Sequence, residues 1–115
     1  MPHITIQYTA NIKEAGKISE LFLPIHRLIV ETLDADINNC KTKATEINEY
    51  LYADGGKGFV MIELVLKKGR DEKVINNAAL EIIKMVKEFF SESIAKDAIG
   101  ISFEIRDLSD LYYKI

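Results

Sequence analysis

The chain has 115 residues, 48% apolar and 29% charged, with a formal net charge of −3. That length makes one domain with a modest core, and its acidic and basic residues are interspersed, which excludes the clustered Lys/Arg face of a nucleic-acid binder. No run approaches the ~20 apolar residues of a membrane-crossing helix and no basic-then-apolar leader opens the chain, so no membrane partner is expected and the cytoplasm is the predicted location.

The chain opens Met1-Pro2-His3-Ile4-Thr5-Ile6-Gln7-Tyr8. Residues 3–8 alternate, so Ile4, Ile6 and Tyr8 share one face of a strand. Pro2 stands at the first strand position, where a missing N–H is tolerated. Counted by two, its ring lies on the Ile4/Ile6 face, so the terminus begins at the rim of a core, partly desolvated. A Met-Pro bond is a normal substrate of methionine aminopeptidase, and its cleavage leaves Pro2 with a free secondary amine. An α-amino group titrates near pH ~8, and burial or a nearby cation lowers that value. Such an amine is a general base near neutral pH without any His, Asp or Glu. The plain alternative is an ordinary second residue.

Thr9 to Lys17 reads as a loop. From Ile18, apolar residues at Leu21, Phe22, Ile25, Leu28, Ile29 and Leu33 follow helical steps, with Pro24 either kinking that helix or opening its main part. His26 falls just beside the stripe and reads as a boundary residue. Asp34 to Asn39 breaks the pattern. Residues 41–52 read as a second strand followed by irregular chain, with Lys41, Lys43, Thr45 and Ile47 on one side. The run Ala53-Asp54-Gly55-Gly56-Lys57-Gly58 is a turn without the spacing of a phosphate-binding loop.

Residues 59–66 form the most apolar strand, expected at the centre of the sheet. Asp71 is the expected N-cap of a second helix running to about Ser93, with Val74, Ala78, Ile82, Met85, Val86 and Phe89 as its buried stripe. The chain turns around Ala98-Ile99-Gly100 before a fourth strand carrying Ile101, Phe103 and Ile105. The tail from Asp107 to Ile115 is apolar enough that it is expected to dock, with another subunit as one available surface. The single Cys40 has no disulfide partner and only His3 and His26 to join it, so it reads as a reduced structural thiol, with no metal site expected.

The order strand, helix, strand, turn, strand, helix, strand divides into two βαβ halves, about 1–57 and 58–115, of one domain. The fold class is α+β, a four-stranded sheet with two helices on one face. Apolar strand positions on both faces imply that the uncovered face meets another copy of the chain.

Three stretches carry a family likeness. They are Met-Pro-His-Ile-Thr-Ile with Asn11-Ile12; Ala53-Asp54-Gly55 with Phe59-Val60 and Gly69-Arg70; and Ile101-Ser102-Phe103-Glu104-Ile105. Together, in this order across the whole chain, they resemble the tautomerase superfamily, and within it the 5-carboxymethyl-2-hydroxymuconate isomerases. The resemblance implies a homotrimer and a cofactor-independent and metal-free keto–enol isomerase of aromatic-compound catabolism, acting on an unsaturated 2-hydroxy (di)carboxylic acid. It implies Pro2 as the catalytic base and Arg70 as a carboxylate-binding, charge-drawing group. Lys41 stands where the family isomerase has its other arginine, keeping the charge but losing the bidentate fork. Lys43 matches a second basic position, and Tyr52 matches a pocket wall. Two alternatives accompany this reading: a non-catalytic trimeric binding module that kept the fold, and a proline-dependent hydratase or dehalogenase.

Overall fold

The computed structural model describes all residues, Met1–Ile115. Strand β1 (His3–Thr9) leads through a 3-10 helix (Ala15–Leu21) into α1 (Phe22–Leu33), and a short 3-10 turn (Ile37–Asn39) precedes β2 (Lys41–Ile47). The second half repeats this plan with β3 (Gly58–Leu66), α2 (Glu72–Phe89), the short α3 (Ser91–Ala95) and β4 (Ile99–Asp107). The sheet order is β2-β1-β3-β4. Each half contributes a parallel pair, β1·β2 and β3·β4, and the halves join antiparallel through β1·β3 with Ile6 opposite Ile62. This is the expected α+β sheet of two βαβ halves.

Period-two alternation turns Ile4, Ile6, Val60, Ile62, Leu64 and Leu66 to one face, where all are buried. Against them pack Ile25, Ile29 and Leu33 of α1 and Ala78, Ile82 and Val86 of α2. Each such Ile or Leu contributes about 1.5–3 kcal/mol relative to leaving it exposed. Phe90, fully buried, closes the core where α2 passes into α3.

Pro24 is the third residue of α1, inside the first turn where its missing N–H has no intrahelical partner to lose, so it opens the helix rather than kinking it. Asp34, in the left-handed conformation at φ 52°, ends α1. Asp71 caps α2 by accepting the Lys73 N–H at 3.0 Å.

Three boundaries and one buried position differ from the sequence reading. The end of the expected 9–17 loop is already 3-10 helical from Ala15. Helix α2 ends at Phe89, because burying Phe90 redirects the chain into a separate short helix. Strand β4 starts at Ile99, the turn falling instead at Asp97, which adopts φ 50°. Val74, expected in the buried stripe, is 42% exposed. It lies in the first turn of α2, where Ile75 packs against the core instead.

The other face of the sheet, read from the strand register, carries His3, Thr5 and Gln7; Lys41 and Lys43; Met61, Glu63 and Val65; and Ser102, Glu104 and Arg106. It is more polar than the sequence suggested. Arg106 bridges Glu63 at 3.4 Å and Glu104 at 3.5 Å across it. No helix is long and apolar enough to cross a membrane.

Candidate active site

Pro2 continues the line of β1 by one residue, and its ring is fully buried on the Ile4/Ile6 face. Its carbonyl accepts the Lys41 N–H at 3.2 Å, so pairing with β2 reaches the very start of the chain. The terminal ammonium donates to the Asn39 carbonyl at 3.0 Å. With Met1 present that amine is Met1's own, and the Pro2 nitrogen is an amide. The charges acting on it nevertheless describe the surroundings of this end of the chain. Burial holds the amine below its ordinary pKa of 8.0, the ammonium of Lys114 adds to the effect, and Lys41 and Arg70 push the same way against the opposing influence of Cys40.

Arg70 follows Gly69, whose φ of 107° lies in the left-handed region that favours glycine. The turn made there aims the guanidinium back at the C-terminal end of α1, where Nε donates to the Leu33 carbonyl at 3.3 Å and Nη1 to the Lys67 carbonyl at 3.3 Å. A helix C-terminus leaves carbonyls without intrahelical partners, and a cation suits them. The guanidinium is thereby oriented while Nη2 makes no protein hydrogen bond.

Lys41 and Lys43 are exposed and lie in register with His3 and Thr5. With Thr42 and Val65 these residues line a cavity of about 290 Å³. His3 is half-buried there, its ring edge-on to Tyr112 at 5.5 Å. Burial, then the terminal amine, Lys41, Lys43 and Lys114 lower its pKa, so the ring is neutral at neutral pH. On the helix side of the sheet, α1 and β2 are tied by the hydrogen bond between His26 Nε2 and Thr42 Oγ1 at 2.5 Å. Half-buried Cys40 has its thiol pKa raised, chiefly by burial, and donates weakly to the Asp36 carbonyl at 3.7 Å.

Lys41 and Arg70 thus lie near enough to the terminus beside Pro2 for their charges to act on its amine, with Lys43 one step along β2 in the cavity that neither Pro2 nor Arg70 lines. Tyr52 does not join them within one chain. It sits beside the start of β3, packed edge-on to Phe59 at 6.2 Å and against Gly100, where an added Cβ would fall 2.3 Å from its ring. Pro2 lies past the other end of β3, roughly 20 Å away at ~3.4 Å per strand residue. A second cavity, about 340 Å³, lies on the helix side among Ile83, Val86, Ile94, Ile99, Ile101 and Phe103, with Lys87 its sole charged lining group. It offers no base for proton transfer.

Sequence reasoning missed Asn39, Tyr112 and Lys114. The tail that carries the last two touches its own chain through half-buried Leu108 and Tyr112, while Leu111, Tyr113 and Ile115, expected to dock, stay exposed.

The family model for 5-carboxymethyl-2-hydroxymuconate isomerase matches residues 2–114. The chain belongs to this isomerase family. The 5-carboxymethyl-2-hydroxymuconate Delta-isomerase of Escherichia coli is 22% identical over 110 residues, covering 94% of this chain and 87% of its own. The crystal structure of a 5-carboxymethyl-2-hydroxymuconate isomerase from Deinococcus radiodurans R1 superposes with a TM-score of 0.91 at 25% identity, covering 99% of this chain and 88% of that one. A fused 4-OT symmetric trimer shares the fold at a TM-score of 0.73 and 13% identity, covering 98% of this chain and 90% of that one.

Proposed function

We propose that the protein is a cytoplasmic, cofactor-independent isomerase that interconverts enol and keto forms of an unsaturated 2-hydroxy (di)carboxylic acid, of the kind 5-carboxymethyl-2-hydroxymuconate isomerases are named for. The observation that carries the reading is the partly desolvated chain terminus, whose amine is held below the ordinary value of 8.0 by burial first and then by Lys114, Lys41 and Arg70, a shift that favours the basic form. After removal of Met1 that amine is the Pro2 ring nitrogen. It accepts the proton of the substrate's 2-hydroxyl as the carbon–oxygen double bond forms. The resulting ammonium returns the proton to a carbon of the conjugated chain, so one O–H bond is lost and one C–H bond gained, with no redox step.

Arg70 holds a carboxylate and draws charge toward the carbonyl end, while Lys41 and Lys43 bind the other anionic end. Lys41 supplies charge without the planar fork of an arginine. Tyr52 serves as a pocket wall only across a boundary between copies. A homotrimer would bring it there, and fold relatives that form a symmetric trimer support that assembly.

An intact mass spectrum is expected to lack Met1. Pro2→Ala is expected to slow ketonisation of phenylenolpyruvate by about 10²-fold or more, the usual scale for losing a general base. Unchanged activity in Pro2→Ala, or Met1 retained on active protein, would overturn the proline mechanism. A folded chain with Met1 retained and no turnover would point to a binding module instead.

A further inference from the structure

The last residues of the chain run back over the end of the sheet that carries Pro2. The Leu108 N–H donates to the Leu66 carbonyl at 2.7 Å, and a turn follows in which the Tyr112 N–H reaches the Ser109 carbonyl at 3.2 Å. Lys68 pairs with Asp110 at 3.4 Å, and Tyr112 lies edge-on to His3. Beyond these anchors Lys114 Nζ donates to Asn39 Oδ1 at 3.0 Å. The backbone carbonyl of the same Asn39 receives the terminal ammonium. One residue therefore ties both ammonium groups, and the strap exists in space where Lys114 is delivered beside the amine.

Among the chain's ion pairs, the cations are Lys13, Lys57, Lys68, Lys96 and Arg106. Lys41, Lys43, Arg70 and Lys114 pair with no carboxylate. Lys41, Arg70 and Lys114 act on the terminal amine and Lys43 on His3 beside it; like charges so placed repel one another, and no paired carboxylate offsets them. An anion with two charged ends does. A single carboxylate needs at most two of these groups, whereas a dicarboxylate uses the remainder.

We propose that Lys114, held over the site by the strap of residues 108–115, joins Lys41 and Lys43 in binding the second carboxylate of a dicarboxylic substrate and sets the preference for it over a monocarboxylic one. The proposal rests on the isomerase reading above. Asn39 and the Tyr112–His3 contact position the lysine, whose Nζ has Asn39 Oδ1 as its one protein hydrogen-bond partner.

The test compares 2-hydroxyhexa-2,4-dienedioate with 2-hydroxypenta-2,4-dienoate, measured on the alkaline plateau of the pH profile, where the amine is neutral in every variant. Lys114→Met is expected to lower kcat/KM for the dicarboxylate, mostly through KM, by about tenfold more than it lowers that for the monocarboxylate. Lys114→Arg is expected to restore most of the loss, and Tyr112→Ala to reproduce part of it. Equal losses on both substrates, or no loss on either, would overturn the role of Lys114 while leaving the isomerase standing. Wild-type protein inactive on both would overturn the isomerase reading and this proposal together. Lys114 is exposed, so circular dichroism of the variants is expected to match wild type.

Discussion

At Met1's terminal amine, one residue out from the Pro2 nitrogen, burial and three cations act in one direction, and only Cys40 opposes them. A base whose pKa is lowered is neutral, and therefore competent, further into acid than a free terminus. The acid limb of the kcat/KM profile is accordingly expected below pH 8.0, the ordinary value for this group. Lys114→Met removes the largest of the charge effects on the amine. Its acid limb is expected to move upward, toward 8.0, with Lys41, Arg70 and Cys40 still in place. A limb that stays where it was would show that Lys114 does not act on the amine. At this scale the identity of Pro2 and Arg70 was legible, because a proline at position 2 and a Gly-Arg turn are local features. The partners of the amine were not, because Asn39 and Lys114 lie 38 and 75 residues away from their respective contacts.

The two halves interlock at the level of elements through a small polar network. Buried Thr9 Oγ1 donates to Asn11 Oδ1 at 2.7 Å and accepts the Phe59 N–H at 3.0 Å, while Asn11 Nδ2 holds the Gly56 carbonyl at 2.9 Å. Gly58 begins β3 inside this network. A Cβ there would lie 2.5 Å from Ile12 Cγ2, 2.7 Å from Asn11 Oδ1 and 2.7 Å from Thr9 Oγ1. Three side chains cannot yield at once, so Gly58→Ala is expected to destabilise by about 1–3 kcal/mol in urea unfolding, the usual range for overpacking. Wild-type stability in that variant would refute the close approach. The turn at 53–58 was readable from its glycines, but its attachment to the first half was not. Helix periodicity likewise gave α1 and α2, yet misassigned Val74, because periodicity fixes a face without saying where along the helix the partner surface begins.

For the whole molecule, one sheet face is covered by two helices and the other lies open, with Tyr52 at the wrong end of its own chain to meet Pro2. A native mass near three times the 13.1 kDa of one chain is expected. A strictly monomeric protein with full activity would remove both the trimer and any role for Tyr52 in the pocket. The sequence by itself determined the four strands, the two long helices and their order, because alternation and 3.6-residue spacing are written within a few neighbouring positions. It also marked Pro2 as the residue to watch. Only the tertiary structure decided which cations reach that terminus, that the tail returns to it, and that Tyr52 is carried away from it. Those outcomes depend on sheet order and on contacts between distant residues, and no local pattern encodes them.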